Sequence, residues 1–192
     1  MADFNQAYAI TMNNEGGYAN DSNDHGGETW RGIARNFWPS WQGWLIVDSI
    51  KSQDPASLNN ALGVNEQLEQ FVLAFYKVEF WDCLSLSQLD NQQIANQLFD
   101  ISVNMGTGTA AKILQEAINI YTNNALTIDE KVGPLTIAAA SKLDVESLFN
   151  SINNLRKERY EEIIANNPSQ AVFRNSWFSR IKPFNEATQN MG

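Results

Sequence analysis

The sequence predicts a mainly helical α+β fold in which one small irregular β-hairpin follows the first helix. Three observations predict it. Apolar residues recur at intervals of three and four along most of the chain, the pattern of one buried helix face. Residues suited to capping helix N-termini stand just ahead of such runs, at Asp3, Asn65, Asp144 and Asn167. Only one stretch, Tyr18 to Gly32, is dense in Asn, Asp and Gly with β-formers (Tyr18, Thr29, Trp30) at its flanks.

The elements follow in order. Asp3, with Gln6 three residues later, opens a helix from Phe4 to Asn14 on the apolar positions Phe4, Ala7, Tyr8, Thr11 and Met12. Glu15 continues that stripe at the last position before Gly16 and Gly17 end the helix. After the hairpin, Ile33 to Trp38 reads as a short helix stopped by Pro39, and Asn65 caps a helix that fades at Phe80, Trp81 and Asp82. Further helices run from Asn91 to Met105, stopped by Gly106, and from Thr109 to Tyr121. A turn at Asp129 to Pro134 leads into a short helix through Ala140, and Asp144 begins a long one. Asn167, Pro168 and Gln170 then supply the cap, N1 proline and capping-box glutamine of a last helix carrying Phe173, Trp177, Ile181 and Phe184. The polar stretch Leu84 to Asn91 is the expected seam, so residues 1–90 form an N-terminal lobe and 91–192 a helical C-terminal lobe, packed as one compact unit.

The composition narrows the function classes. At 192 residues and 43% hydrophobic content, a core can form without a cofactor or metal. Cys83 is the single cysteine and reads as a small buried apolar residue; one cysteine and one histidine, His25, are too few for a Cys/His zinc site. A formal charge of −9 argues against nucleic acid as a partner, because backbone binding needs clustered Lys and Arg. No run of 18 apolar residues offers a membrane span. The opening MADFNQAYAITMNNEGG lacks a basic segment followed by an apolar run, so synthesis in the cytoplasm without a signal peptide is expected.

Chemistry concentrates in EGGYANDSNDHGGETWRGI, Glu15 to Ile33, where Glu15, Asp21, Asp24 and Glu28 surround a glycine-rich turn. Taken singly, Asp21 and Glu28 read as solvated turn acids. Glu15 differs, because an apolar stripe and the negative end of a helix both disfavour its charged form. A carboxyl kept protonated near neutral pH is what a glycosidic leaving oxygen requires from a general acid. Glycoside hydrolysis also needs a group across the sugar ring, a nucleophilic carboxylate or a base holding water. Asp24 is the candidate, with the Thr29 hydroxyl as a water holder. Tyr18 and Trp30 offer flat faces to sugar rings and, with Asp21, are the substrate-binding candidates. Trp38, Trp41 and Trp44 read as core.

EGGYAND, continued by D-x-GG-x-T and GI, resembles the N-terminal signature of glycoside hydrolase family 108, lysozyme-like muramidases related to phage endolysins and often labelled secretion activators. The resemblance implies that Glu15 is the catalytic glutamate and that the fold is lysozyme-like. More distantly, Glu15, Asp24 and Thr29 resemble the Glu, Asp and Thr triad of phage-type lysozymes. FDISVNMGTGTAAKILQEAI, VGPLT and NNPSQAVFRNSWFSRI resemble the peptidoglycan-binding region that follows in this family. Trp38 to Val64 departs from the family pattern, as do Asp129 and Glu130, where many relatives have Asp-Gly.

The resemblance implies hydrolysis of the β-1,4 bond between N-acetylmuramic acid and N-acetylglucosamine in peptidoglycan glycan strands, without a cofactor, and release to the cell wall through a holin-like partner or another export route. Two readings compete with it. A lytic transglycosylase also uses one glutamate but forms an anhydro sugar, and a binding or secretion-associated module keeps the fold without catalysis.

Overall fold

A computed structural model describes residues 1–12, 16–20, 26–53 and 56–185. Its architecture is mainly helical with a small three-stranded antiparallel sheet. By contacts the chain divides into two compact units, one spanning Thr11–Glu79 and the other combining Met1–Ile10 with the chain from Phe80 onward.

In the unit Thr11–Glu79, β1 (Tyr18–Asn20), β2 (Glu28–Trp30) and β3 (Ile33–Ala34) pair in chain order. Tyr18 lies opposite Trp30 and Asn20 opposite Glu28, while Thr29 lies opposite Ala34 and Trp30 opposite Ile33. Arg31 (φ 45°) and Gly32 (φ 80°) form the two-residue link between β2 and β3, the doubly positive φ pattern that matches the twist of paired strands. This is why Ile33 to Trp38 is not the short helix expected: the link turns Ile33 and Ala34 back along β2. Two helices that periodicity did not predict follow, α2 (Gly43–Gln53) and α3 (Leu58–Gly63). Next comes α4 (Glu66–Tyr76), whose cap Asn65 accepts the Leu68 N–H at 2.8 Å. Trp30, Ile33, Trp44, Val47, Leu62, Leu68 and Val72 are buried. The Trp44 indole donates to the Trp38 carbonyl at 2.8 Å, and Trp38 and Trp41 pack edge-on against Phe75.

The other unit begins with α1 (Phe4–Met12) as far as Ile10. Asp3 caps this helix by accepting the Gln6 N–H at 2.9 Å. Its expected end at Asn13 and Asn14 lies outside the described residues. Gln92 exchanges two hydrogen bonds with the Asp3 backbone, and Phe4, Trp81 and Phe99 meet edge-on at centroid distances of 5.7–5.9 Å. A π-helical turn (Lys77–Trp81) and two short 3-10 turns lead from α4 to α5 (Gln92–Met105) and α6 (Thr107–Thr122). Gly106, at φ 90°, makes the corner between these helices. Cys83, expected to be buried, is exposed on the first 3-10 turn.

The connection from α6 to α7 (Pro134–Ala140) is held by two buried polar residues one turn apart. Asn119 exchanges two hydrogen bonds with the Leu126 backbone, and Gln115 accepts the Asp129 and Glu130 N–H groups while donating to Asp129 and the Lys131 carbonyl. Such pairing satisfies backbone groups that burial would otherwise leave costly. Helix α8 (Val145–Asn166) brings Arg156, 1% exposed, against Asp100 of α5. Arg180 reaches the other oxygen of Asp100 at 2.8 Å, and Arg156 also donates to the Tyr160 hydroxyl at 3.0 Å. The single long last helix expected after Asn167 is instead a 3-10 segment (Pro168–Phe173) followed by α9 (Arg174–Ser179). Asn167 turns its oxygen to the Ser169 hydroxyl at 2.7 Å, two residues on, and that tight local bond starts a narrower turn than a capping box would. The Trp177 ring stacks between those of Tyr160 and Phe173, joining α8 to the end of this segment.

Candidate active site

Strand alternation divides the residues of the signature between two faces of the sheet. Tyr18, Glu28, Trp30 and Ile33 share one face, which α2 covers; Ala19, Thr29 and Ala34 share the other. Trp30 is 2% exposed, so its ring is part of the core. Tyr18 is half-buried and Thr29 half-buried on the opposite face. Glu15, Asp21 and Asp24 lie outside the described residues.

Glu28, read from sequence as a solvated turn acid, is instead the centre of a charged network. Its side chain is 11% exposed. The Tyr18 hydroxyl donates to it at 2.5 Å, the Lys51 ammonium at 2.8 Å, and the Arg35 Nε stands 2.6 Å from its second oxygen. Arg35 follows β3 and donates its backbone N–H to the Glu28 carbonyl, so the two side chains oppose each other across the sheet. Its guanidinium also forms a forked pair with Asp48 at 2.6 and 3.1 Å and lies 4.3 Å from the Trp44 ring centroid. Trp44, Asp48 and Lys51 recur at helical spacing, so one face of α2 supplies all three.

These contacts decide the charges. Burial pushes the Glu28 carboxyl up, yet hydrogen bonds from Lys51 and Tyr18 and the nearby Arg35 charge outweigh it and hold the group below the ordinary glutamate range. The bond to Glu28 raises Lys51. Burial first, and then the Glu28 carboxylate, raise the Tyr18 hydroxyl. The network is thus fully ionised around neutral pH with a neutral tyrosine. An acid so stabilised as its anion cannot serve as a general acid there, and its chemistry is to fix Tyr18 and β2.

Tyr18 is fixed from its backbone as well. The Asn59 side chain of α3 accepts the Tyr18 N–H at 2.7 Å. A Cβ on Gly17 would stand 2.4 Å from that same oxygen, so a larger residue there would push the Asn59 side chain off the Tyr18 N–H. Sequence reasoning missed Glu28, Lys51, Arg35 and Asn59. The available signal was the period-two placement of Glu28 beside Trp30; without α2 and α3 its partners had no place. Among the described residues, no group of His, Cys, Asp and Glu is arranged to hold a metal ion, and no helix is long and apolar enough to cross a membrane.

A mainly helical fold with a small three-stranded antiparallel sheet is of the lysozyme-like class. Residues 8–106 match the family model Glycosyl hydrolase 108, and residues 109–182 match the model Predicted Peptidoglycan domain. The chain belongs to the glycosyl hydrolase 108 family and carries a peptidoglycan-binding domain at its C-terminal side. Among solved structures it is similar to SagA of Brucella abortus, with a TM-score of 0.60 and 19% identity over 93% of this chain and 88% of that one, a likeness of fold. A search of the curated proteins returns no match.

Proposed function

We propose that this protein is an N-acetylmuramidase that hydrolyses the β-1,4 bond between N-acetylmuramic acid and N-acetylglucosamine, with Glu15 as the general acid. The observation that carries the reading is the glutamate of an intact EGGY run within a segment matching the glycosyl hydrolase model. A peptidoglycan-binding domain in the same chain supports the substrate class. Glu15 protonates the departing oxygen as the sugar develops oxocarbenium character, and Asp24 with Thr29 positions the attacking water. Asp21 and Tyr18 border the glycan on the hairpin side. Cytoplasmic synthesis and release to the wall through a holin-like pore belong to the same proposal.

The test is the mass of the muropeptides released from purified peptidoglycan. Hydrated products with borohydride-reducible muramic acid ends support hydrolysis. Products lighter by one water, with anhydro ends, would assign a lytic transglycosylase instead. Retention of intact sacculi by a folded protein that releases nothing would leave a binding module.

A further inference from the structure

Beside Tyr18 the surface opens into a cleft of about 410 Å³ lined by Tyr18 and by Ala56, Ser57, Leu58, Asn59 and Asn60, the end of one loop and the first turn of α3. Leu58 is buried, whereas Asn59 and Asn60 are exposed. Among the described residues the lining carries side-chain amides, a hydroxyl residue and an aromatic residue, and no charged side chain. Neutral amides and a hydroxyl suit the hydroxyls and N-acetyl groups of a sugar better than a free anion or cation, which would require an opposite charge. The cleft is also rigidly made. Asn59 holds the Tyr18 backbone at 2.7 Å, Glu28 holds its hydroxyl at 2.5 Å, and the Lys51 ammonium lies 5.7 Å from its ring centroid. The same Asn59 oxygen lies against Gly17, so Asn59 ties this cleft to the glycine that precedes Tyr18.

We infer that the Tyr18, Ser57, Asn59 and Asn60 cleft is a saccharide subsite for an N-acetylated hexosamine of the glycan strand. The inference rests on the muramidase reading for the identity of its ligand. The Asn59 oxygen is engaged by Tyr18, and its amide nitrogen makes no other hydrogen bond among the described residues, so it is a donor for the sugar. Preorganisation of this kind lowers the ordering cost of binding.

The experiment uses full-length protein and soluble glycan strands stripped of peptides by an amidase, with binding followed by calorimetry and cleavage by reducing-end release. Asn59→Asp keeps an oxygen for the Tyr18 N–H and removes the donor; Asn60→Ala removes an amide that makes no bond to the hairpin among the described residues. Each variant is expected to weaken glycan binding and raise KM about tenfold, with kcat within twofold and an unchanged melting temperature for Asn60→Ala. Unchanged binding and KM in two folded variants would overturn the subsite. Binding without cleavage by the wild type, lost in the variants, would sink the muramidase reading and keep the subsite. Cleavage with unaltered KM in both variants would do the reverse.

Discussion

Lys51 on α2 places its ammonium 2.8 Å from the carboxylate of Glu28 on β2, while Arg35 approaches the other oxygen of that carboxylate at 2.6 Å. Two cations on one carboxylate join the sheet to the helix that covers it, and the Tyr18 hydroxyl is the third partner. Because Glu28 is 11% exposed, its pairs are less screened by solvent than surface ion pairs are.

Replacement of Glu28 by Gln leaves Lys51 and Arg35 without their shared counter-charge. The expected loss is roughly 1–3 kcal/mol, or several degrees in melting temperature by calorimetry. Asp48→Asn removes only the outer, exposed partner of Arg35 and should cost less than about 1 kcal/mol.

The pH response has a defined sign. Glu28 ionises below its ordinary value in the folded chain, so its contribution is present above the unfolded value and lost as pH falls through the folded one. Thermal stability of the wild type should therefore decline as pH drops below about 4.5, the ordinary value for a glutamate. Glu28→Gln should flatten that decline, and melting curves from pH 7 to pH 3 measure the difference.

In the other unit, Asp100 bridges Arg156 and Arg180, and Arg156 is almost wholly enclosed. Asp100→Ala leaves a buried guanidinium without its carboxylate and is expected to destabilise by about 3–5 kcal/mol in denaturant titration. Arg159→Ala, whose exposed pair with Glu162 spans one helical turn, should be nearly neutral.

With a formal charge of −9, the protein gains no long-range attraction to an anionic wall. Its activity on purified sacculi should change less than about threefold between 50 and 300 mM salt, since stacking and hydrogen bonds are weakly screened. A steep fall over that range would contradict binding of this kind.

Much of the helical order was legible because caps and stripes act locally: Asp3, Asn65 and Asp144 each accept the N–H three residues on, as their positions ahead of apolar runs imply. Ile33 to Trp38 was misread as a short helix because the doubly positive φ link at Arg31 and Gly32 is set by backbone pairing, which local periodicity does not register. α2 was hidden because only Gly43, Trp44 and Val47 of it are buried, while Asp48 and Lys51 gain their value only opposite Arg35 and Glu28. The pairing of Arg156 with Asp100 was equally out of reach of local pattern, its partner lying 56 residues away on α5. The signature pointed to Glu15 and Tyr18, but the network that fixes Tyr18 is assembled from four separate segments that no sequence window contains.

The central claim is tested most directly by digesting purified peptidoglycan with the wild-type protein and with Glu15→Gln, each shown by circular dichroism to be folded, and weighing the released muropeptides. The account predicts hydrated muramic acid ends from the wild type and a fall in rate of at least about 10²-fold in the variant, the scale of a lost general acid. Equal cleavage by both proteins would remove Glu15 from the chemistry and contradict the account.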